Sequence, residues 1–156
     1  MTRTLPLVLA VSLLFLAGSG SLVAFSRPVV EGTAAGVELC PQYICQAAIF
    51  AAQFQGQVGR TENAVGYIAV AATHEPLPDR GESAAITGGH WELAAGRYVL
   101  GGIVDDGSLY NNGNNTYTVN ATLLLVRGGM GTIYFEGILD HRVFPPTIQG
   151  TIRQNP

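Results

Sequence analysis

From Gln46 onward, apolar and polar positions alternate in short stretches, and turn residues separate one stretch from the next. Ala48, Phe50, Ala52, Phe54 and Val58 share one face, and Gln53, Gln55 and Gln57 the other. This two-residue period predicts a half-buried β-strand. Ala64–Thr73 is a second stretch, apolar on both faces, and Ala84–Leu93 a third. In the third, Trp91 and Leu93 are assigned to the core face, which turns His90 and Glu92 outward. Arg97–Val104 is a fourth strand, with a bend expected at Gly101-Gly102. Thr116–Val126 has the plainest pattern, with Tyr117, Val119, Ala121, Leu123 and Leu125 opposite Thr116, Thr118, Asn120 and Thr122. Thr132–Leu139 and Thr147–Ile152 complete the series. Between them, His74–Glu82, Asp105–Asn115, Arg127–Gly131 and Asp140–Pro145 read as loops by their Gly, Pro, Asn and Asp content. A brief strand at Ser108–Tyr110 is expected inside the second of these.

No stretch from Gln46 onward carries a helical period of useful length. Short connections make neighbouring strands antiparallel. The expected fold is therefore all-β: a single small antiparallel barrel of about seven to eight strands, with a two-layer sandwich as the alternative. Glycine pairs at 88–89, 101–102 and 128–129 favour strong bending and hence the barrel. The domain is expected over residues 40–154. Ser26–Leu39 shows no convincing period and reads as a linker.

Ahead of it, Met1-Thr2-Arg3 is a short positive start, Leu5–Leu16 is apolar, and small residues follow at Ala17–Ser21. This is the layout of a secretory signal. Leu5–Phe25 is also uncharged and long enough to serve as a retained hydrophobic anchor helix. Either reading of residues 1–25 puts the remaining chain outside the cytoplasm, secreted or in a cell envelope. Cys40 and Cys45, the only cysteines, are then expected to form a structural disulfide. Their spacing is wrong for a C-x-x-C redox motif, and no His lies near enough in sequence to suggest zinc.

Composition narrows function by exclusion. Charged residues are 12% of the chain and the net charge is −3, against about 25% charged in an average soluble protein. All basic residues are Arg, which rules out lysine-based chemistry, and they are scattered rather than clustered. A dense basic footprint for nucleic acid is missing. Serine is scarce in the domain and no G-x-S-x-G elbow occurs. His74, His90 and His141 each sit near an acid, but no spacing marks a metal site, and no cofactor is implied. Asp105, Tyr110, Asp140 and His141 fall in loops where a barrel places its binding residues, and they are the candidate ligand contacts. Gly89-His90-Trp91 resembles the G-x-W of lipocalin barrels, where it sits on the first strand. Trp91-Glu92-Leu93 with Gly96–Leu100 resembles avidin strands. Neither resemblance carries a site residue over.

Several strands are apolar on both faces. Val99, Ile103, Leu124, Val126, Tyr134 and Ile138 oppose the core positions, so a sister subunit or an envelope partner is expected to cover some of them. The expected role is a non-catalytic binding or assembly module. The alternatives are a small barrel enzyme with its site in the rim loops and a membrane-anchored envelope protein. A hollow interior would point to a ligand carrier, and a filled one to the rim and outer surface.

Overall fold

The computed structural model describes residues 29–154. The signal or anchor expected at 1–25, and linker residues 26–28, lie outside them. Among the described residues no helix is long and apolar enough to cross a membrane. Eight strands run in chain order: β1 (Val30–Cys40), β2 (Ala48–Val58), β3 (Thr61–His74), β4 (Ser83–Ala95), β5 (Tyr98–Gly113), β6 (Thr116–Arg127), β7 (Gly131–Asp140) and β8 (Thr147–Gln154). Each pairs antiparallel with its neighbours in sequence. Pairing of β1 with β8 closes the sheet into a barrel, so the sandwich alternative falls away.

Residues 30–39 correct the linker expectation, because they form the strand that closes the barrel. Val30 pairs with Val58 of β2, and Glu31 with Arg153 of β8. The inward row of β1 is Val30, Gly32, Ala34, Gly36 and Glu38. The two-residue period is present there, but it is carried by small residues and one acid, which leaves little hydrophobic contrast to detect.

Residues 105–113 are a second correction. Instead of a long polar excursion with a brief inner strand, β5 continues through them to Gly113. Its register shifts against β6 between Val104 and Asp106 and between Asn111 and Gly113, which marks bulges. The polar side chains serve neighbouring backbone. Asn111 donates from Nδ2 to the Pro78 carbonyl, and its Oδ1 accepts from the Gly113 amide. Its own backbone N–H donates to Glu82, and its carbonyl accepts from Gly81. The β3–β4 loop is thereby tied to β5. The hairpin turn itself lies at Asn114-Asn115, with φ of 52° and 57°, the conformation of a type I′ turn.

The up-and-down order puts the β2–β3, β4–β5 and β6–β7 turns at one end, the base. The β1–β2, β3–β4, β5–β6 and β7–β8 loops lie at the other end, the mouth. At the base the interior is solid: Val30, Phe54, Val58, Leu93, Leu100, Ile133 and Ile152 are fully buried. Trp91 is buried beside them and donates its indole N–H to the Leu124 carbonyl at 3.2 Å, so no polar atom of the ring is stranded. As the pattern predicts, His90 and Glu92 turn outward, where Glu92 pairs with Arg127.

Candidate functional site

Toward the mouth the same strands present smaller inward residues. Ala34, Ala52, Ala72 and Ala121 line a cavity of about 500 Å³ that opens at this end. Most of the remaining wall is apolar: Ile68, Val70, Ile86, Val104, Leu109, Leu123 and Leu139 among others. Phe50 and Phe135 point inward yet are only partly buried, because they face the cavity rather than packed neighbours.

Phe135 is large but leaves the lumen open. A Cβ on Gly137 or Gly150 would stand 2.6 or 2.7 Å from a ring atom of Phe135. The ring therefore lies flat on bare β7–β8 backbone, a close approach that only glycine permits.

The mouth is partly roofed. The Cys40–Cys45 disulfide, with Cα atoms 6.0 Å apart, closes the β1–β2 loop. It pins a hairpin loop at the mouth. Gln42 crosses from this loop to the end of β3 and acts as a substitute ladder residue. Its Nε2 donates to the His74 carbonyl and its Oε1 accepts from the His74 amide, both at 2.7 Å. Pro41, Tyr43, Pro76 and Leu77 complete the apolar rim. Beyond it, Ile44, Val143 and Phe144 stand in solvent, with Phe144 97% exposed.

One acid is built into the apolar wall. Glu38 is 4% exposed, the sole buried charged residue among those described. Its Oε2 lies 3.0 Å from Nε2 of His141, the residue that follows β7. Both atoms have almost no accessible surface, and neither has another hydrogen-bond partner among the described residues. Both residues line the cavity. The His141 ring also meets Tyr117 edge-on, with centroids 5.3 Å apart and an interplanar angle of 63°, which fixes its orientation.

Of the four candidate ligand residues, the structure brings only His141 into the cavity wall. Asp105 is exposed at the β5 bulge, and Tyr110 is exposed further along the same strand. Asp140 turns to Arg142, accepting from its backbone N–H at 2.9 Å and from its guanidinium at 2.9 and 2.6 Å. Those bonds hold its carboxyl well below the usual range, at about 2. Glu38 escapes sequence reasoning because it sits in the stretch read as a linker. An acid in phase with Val30 and Ala34 was the one signal available. Among the described residues, no group of three or more His, Cys, Asp or Glu side chains is arranged to hold a metal ion.

No family model, curated protein or solved structure matches this chain.

Proposed function

We propose that the protein binds a small, largely apolar molecule inside the barrel, without transforming it. The observation that supports this reading is the open cavity of about 500 Å³. It falls within the usual range of ligand sites, roughly 300–1,000 Å³, which are lined mainly by apolar groups with a few polar ones. A protein interior is otherwise close-packed, and this one is, at the base. A void at the mouth of the same barrel costs stability that a guest restores by refilling it.

The neutral fluorophore N-phenyl-1-naphthylamine provides the test. Its emission should rise saturably, with about one molecule bound per chain. Ala121→Trp fills the lumen from β6 and should weaken binding at least tenfold, while circular dichroism keeps its β signature. A signal that does not saturate, or one indifferent to Ala121→Trp, would place the dye on the outer surface and end the proposal.

The outer surface favours a second property, self-association. The strand registers line up Ile49, Ala71, His90, Ile103 and Leu124 across β2 to β6, and Tyr67, Ala94 and Val99 in a parallel row nearer the base. Tyr67, Val99 and Ile103 are exposed. A second copy of the chain is the occupant we assign to this face. Light scattering coupled to size-exclusion chromatography should report an oligomer that Ile103→Arg dissociates, and a strict monomer at every concentration counts against it.

The setting we assign is extracytoplasmic. The disulfide-bonded Cys40–Cys45 pair is compatible with an oxidising compartment. The hydrophobic segment at residues 5–25 would supply export, either as a cleaved signal or as an anchor.

A further inference from the structure

The mouth of the barrel is not uniform around its rim. We infer that its β1–β2 and β7–β8 loops dock the protein on a lipid bilayer surface, with the cavity opening toward the acyl chains. The choice of lipid rests on the cavity reading, because an apolar guest is drawn from an apolar phase. The docking face itself rests on the two loops.

The loops are neighbours, since β1 pairs with β8, and between them the Glu38 amide donates to the Pro146 carbonyl at 2.9 Å. Leu39, Tyr43 and Ile44 are 62, 79 and 71% exposed, beside Val143 and Phe144 of the second loop. Exposure that high leaves these side chains without cover from the rest of the described chain. Both loops are braced. The Cys40–Cys45 disulfide closes the first, where the Ile44 and Cys45 amides both donate to the Pro41 carbonyl. In the second, the Arg142 amide donates to Asp140 and the His141 amide to the Asn115 carbonyl. The backbone thus holds the apolar side chains outward.

Charge separates this side of the rim from the rest. No charged residue occurs from Leu39 to Gly59 or from Val143 to Ile152, and the flanking Arg142 is paired with Asp140. Further round, the β3–β4 loop carries Glu75, Asp79, Arg80 and Glu82, all exposed. Uncharged tips lose little on leaving water, whereas ionised side chains resist entry into hydrocarbon. Aromatic and aliphatic side chains on such tips partition into the interfacial zone of a bilayer. A fluid surface also accepts side chains set on two separate tips without needing a matching shape. The barrel therefore docks tilted, with the charged loop kept in water. Tyr43 joins the two features, because it lines the cavity and stands at the rim. A guest passes between lipid and lumen without crossing water.

The experiment puts a fluorescent reporter on the full chain, as Phe144→Trp at the mouth or Tyr67→Trp on the outer wall, and adds phosphatidylcholine vesicles with brominated acyl chains. Trp91 is buried and common to both variants. Emission from Phe144→Trp should move to the blue with plain vesicles and lose most of its added intensity with brominated ones. Emission from Tyr67→Trp should stay unchanged. Adding Ile44→Asp to Phe144→Trp should raise the lipid needed for half of the quenching at least about tenfold, the scale of burying one large aliphatic side chain. Ile44 does not line the cavity, so dye binding in buffer should be unaltered by that change, which shows the fold intact. A chain held only by residues 5–25 would leave position 144 at the far end and unquenched, because β1 enters the barrel at the base. No quenching at position 144, or equal quenching at both positions, overturns the docking. So does a blue shift of Phe144→Trp in buffer alone, which would mean that a protein surface covers the loops. The dye assay without vesicles reads the cavity separately, so either reading can fail while the other stands.

Discussion

Along β2, Phe54 is fully buried at the base, as are Val30, Leu93, Leu100 and Ile133, while Ala52 and Phe50, two and four residues earlier, border open space at the mouth. β6 repeats the contrast with Leu125 and Ala121, and β7 with Ile133 and Phe135. All of these side chains point inward, so the pleat alone does not decide whether a barrel is solid or hollow. The difference is one of size and support. Branched and aromatic residues interlock at the base, whereas alanines at the mouth leave room and Phe135 is drawn back onto glycine backbone. One end is close-packed and the other is left open.

The largest effect should come from testing that division directly. Phe54→Ala removes a fully packed ring and should cost about 3–5 kcal/mol in denaturant unfolding. Phe50→Ala removes a ring that already faces a void. It deletes contacts on one side and seals off no new cavity, so its cost should stay under about 2 kcal/mol. Similar losses at the two sites would mean that the mouth is packed in solution and the contrast is false.

A smaller effect should follow from breaking the disulfide. The closed loop is short, and replacing Cys40 and Cys45 by Ser should cost about 2 kcal/mol on the chain-entropy account. The loss should also be uneven. Amides of the β1–β2 loop and of His74, where Gln42 docks, should gain hydrogen exchange well beyond the global change. Those of the base turns should follow the global change alone. Equal gains at both ends would show that the loop does not belong to the mouth as a separate unit.

The smallest effect is electrostatic and again confined to the mouth. Arg142 depresses the Asp140 carboxyl to about 2 from an ordinary 3.8. A lowered folded value means that the carboxylate stabilises above about pH 4, and that this contribution fades as pH falls toward 2. The stability gap between the parent and Asp140→Asn should therefore be constant at neutral pH and shrink on acidification. Urea titrations at pH 5, 3 and 2 would measure it, and a gap that is the same at all three would remove Arg142 as the cause.

Most of the barrel was legible where apolar contrast was strong. Tyr117, Val119, Leu123 and Leu125 against Thr118, Asn120 and Thr122 leave one choice of inner face, and the structure follows it. The reading failed where residues serve something other than the core. β1 was missed because its inner row is small and acidic. The outer half of β5 was missed because Asn111 and its neighbours hold a loop, and polarity alone cannot tell a loop from a strand that braces one. The cavity was not legible at all. Its volume depends on which alanines from β1, β2, β3 and β6 meet in space, and no single strand records that. His141 could be nominated from its place in a loop at one end of the barrel. Its partner across β8 could not, since the two are brought together by closure of the sheet.

That closure has a further consequence. Because the first strand bonds to both the second and the last, no strand among those described presents a free edge of unpaired amides and carbonyls. Edge-to-edge joining, the common route by which β-proteins polymerise, is thereby blocked. Any contact between copies along the barrel wall would run through side chains, so it would be set by what the outer faces of the strands display and could be tuned one residue at a time without touching the backbone that holds the cavity open.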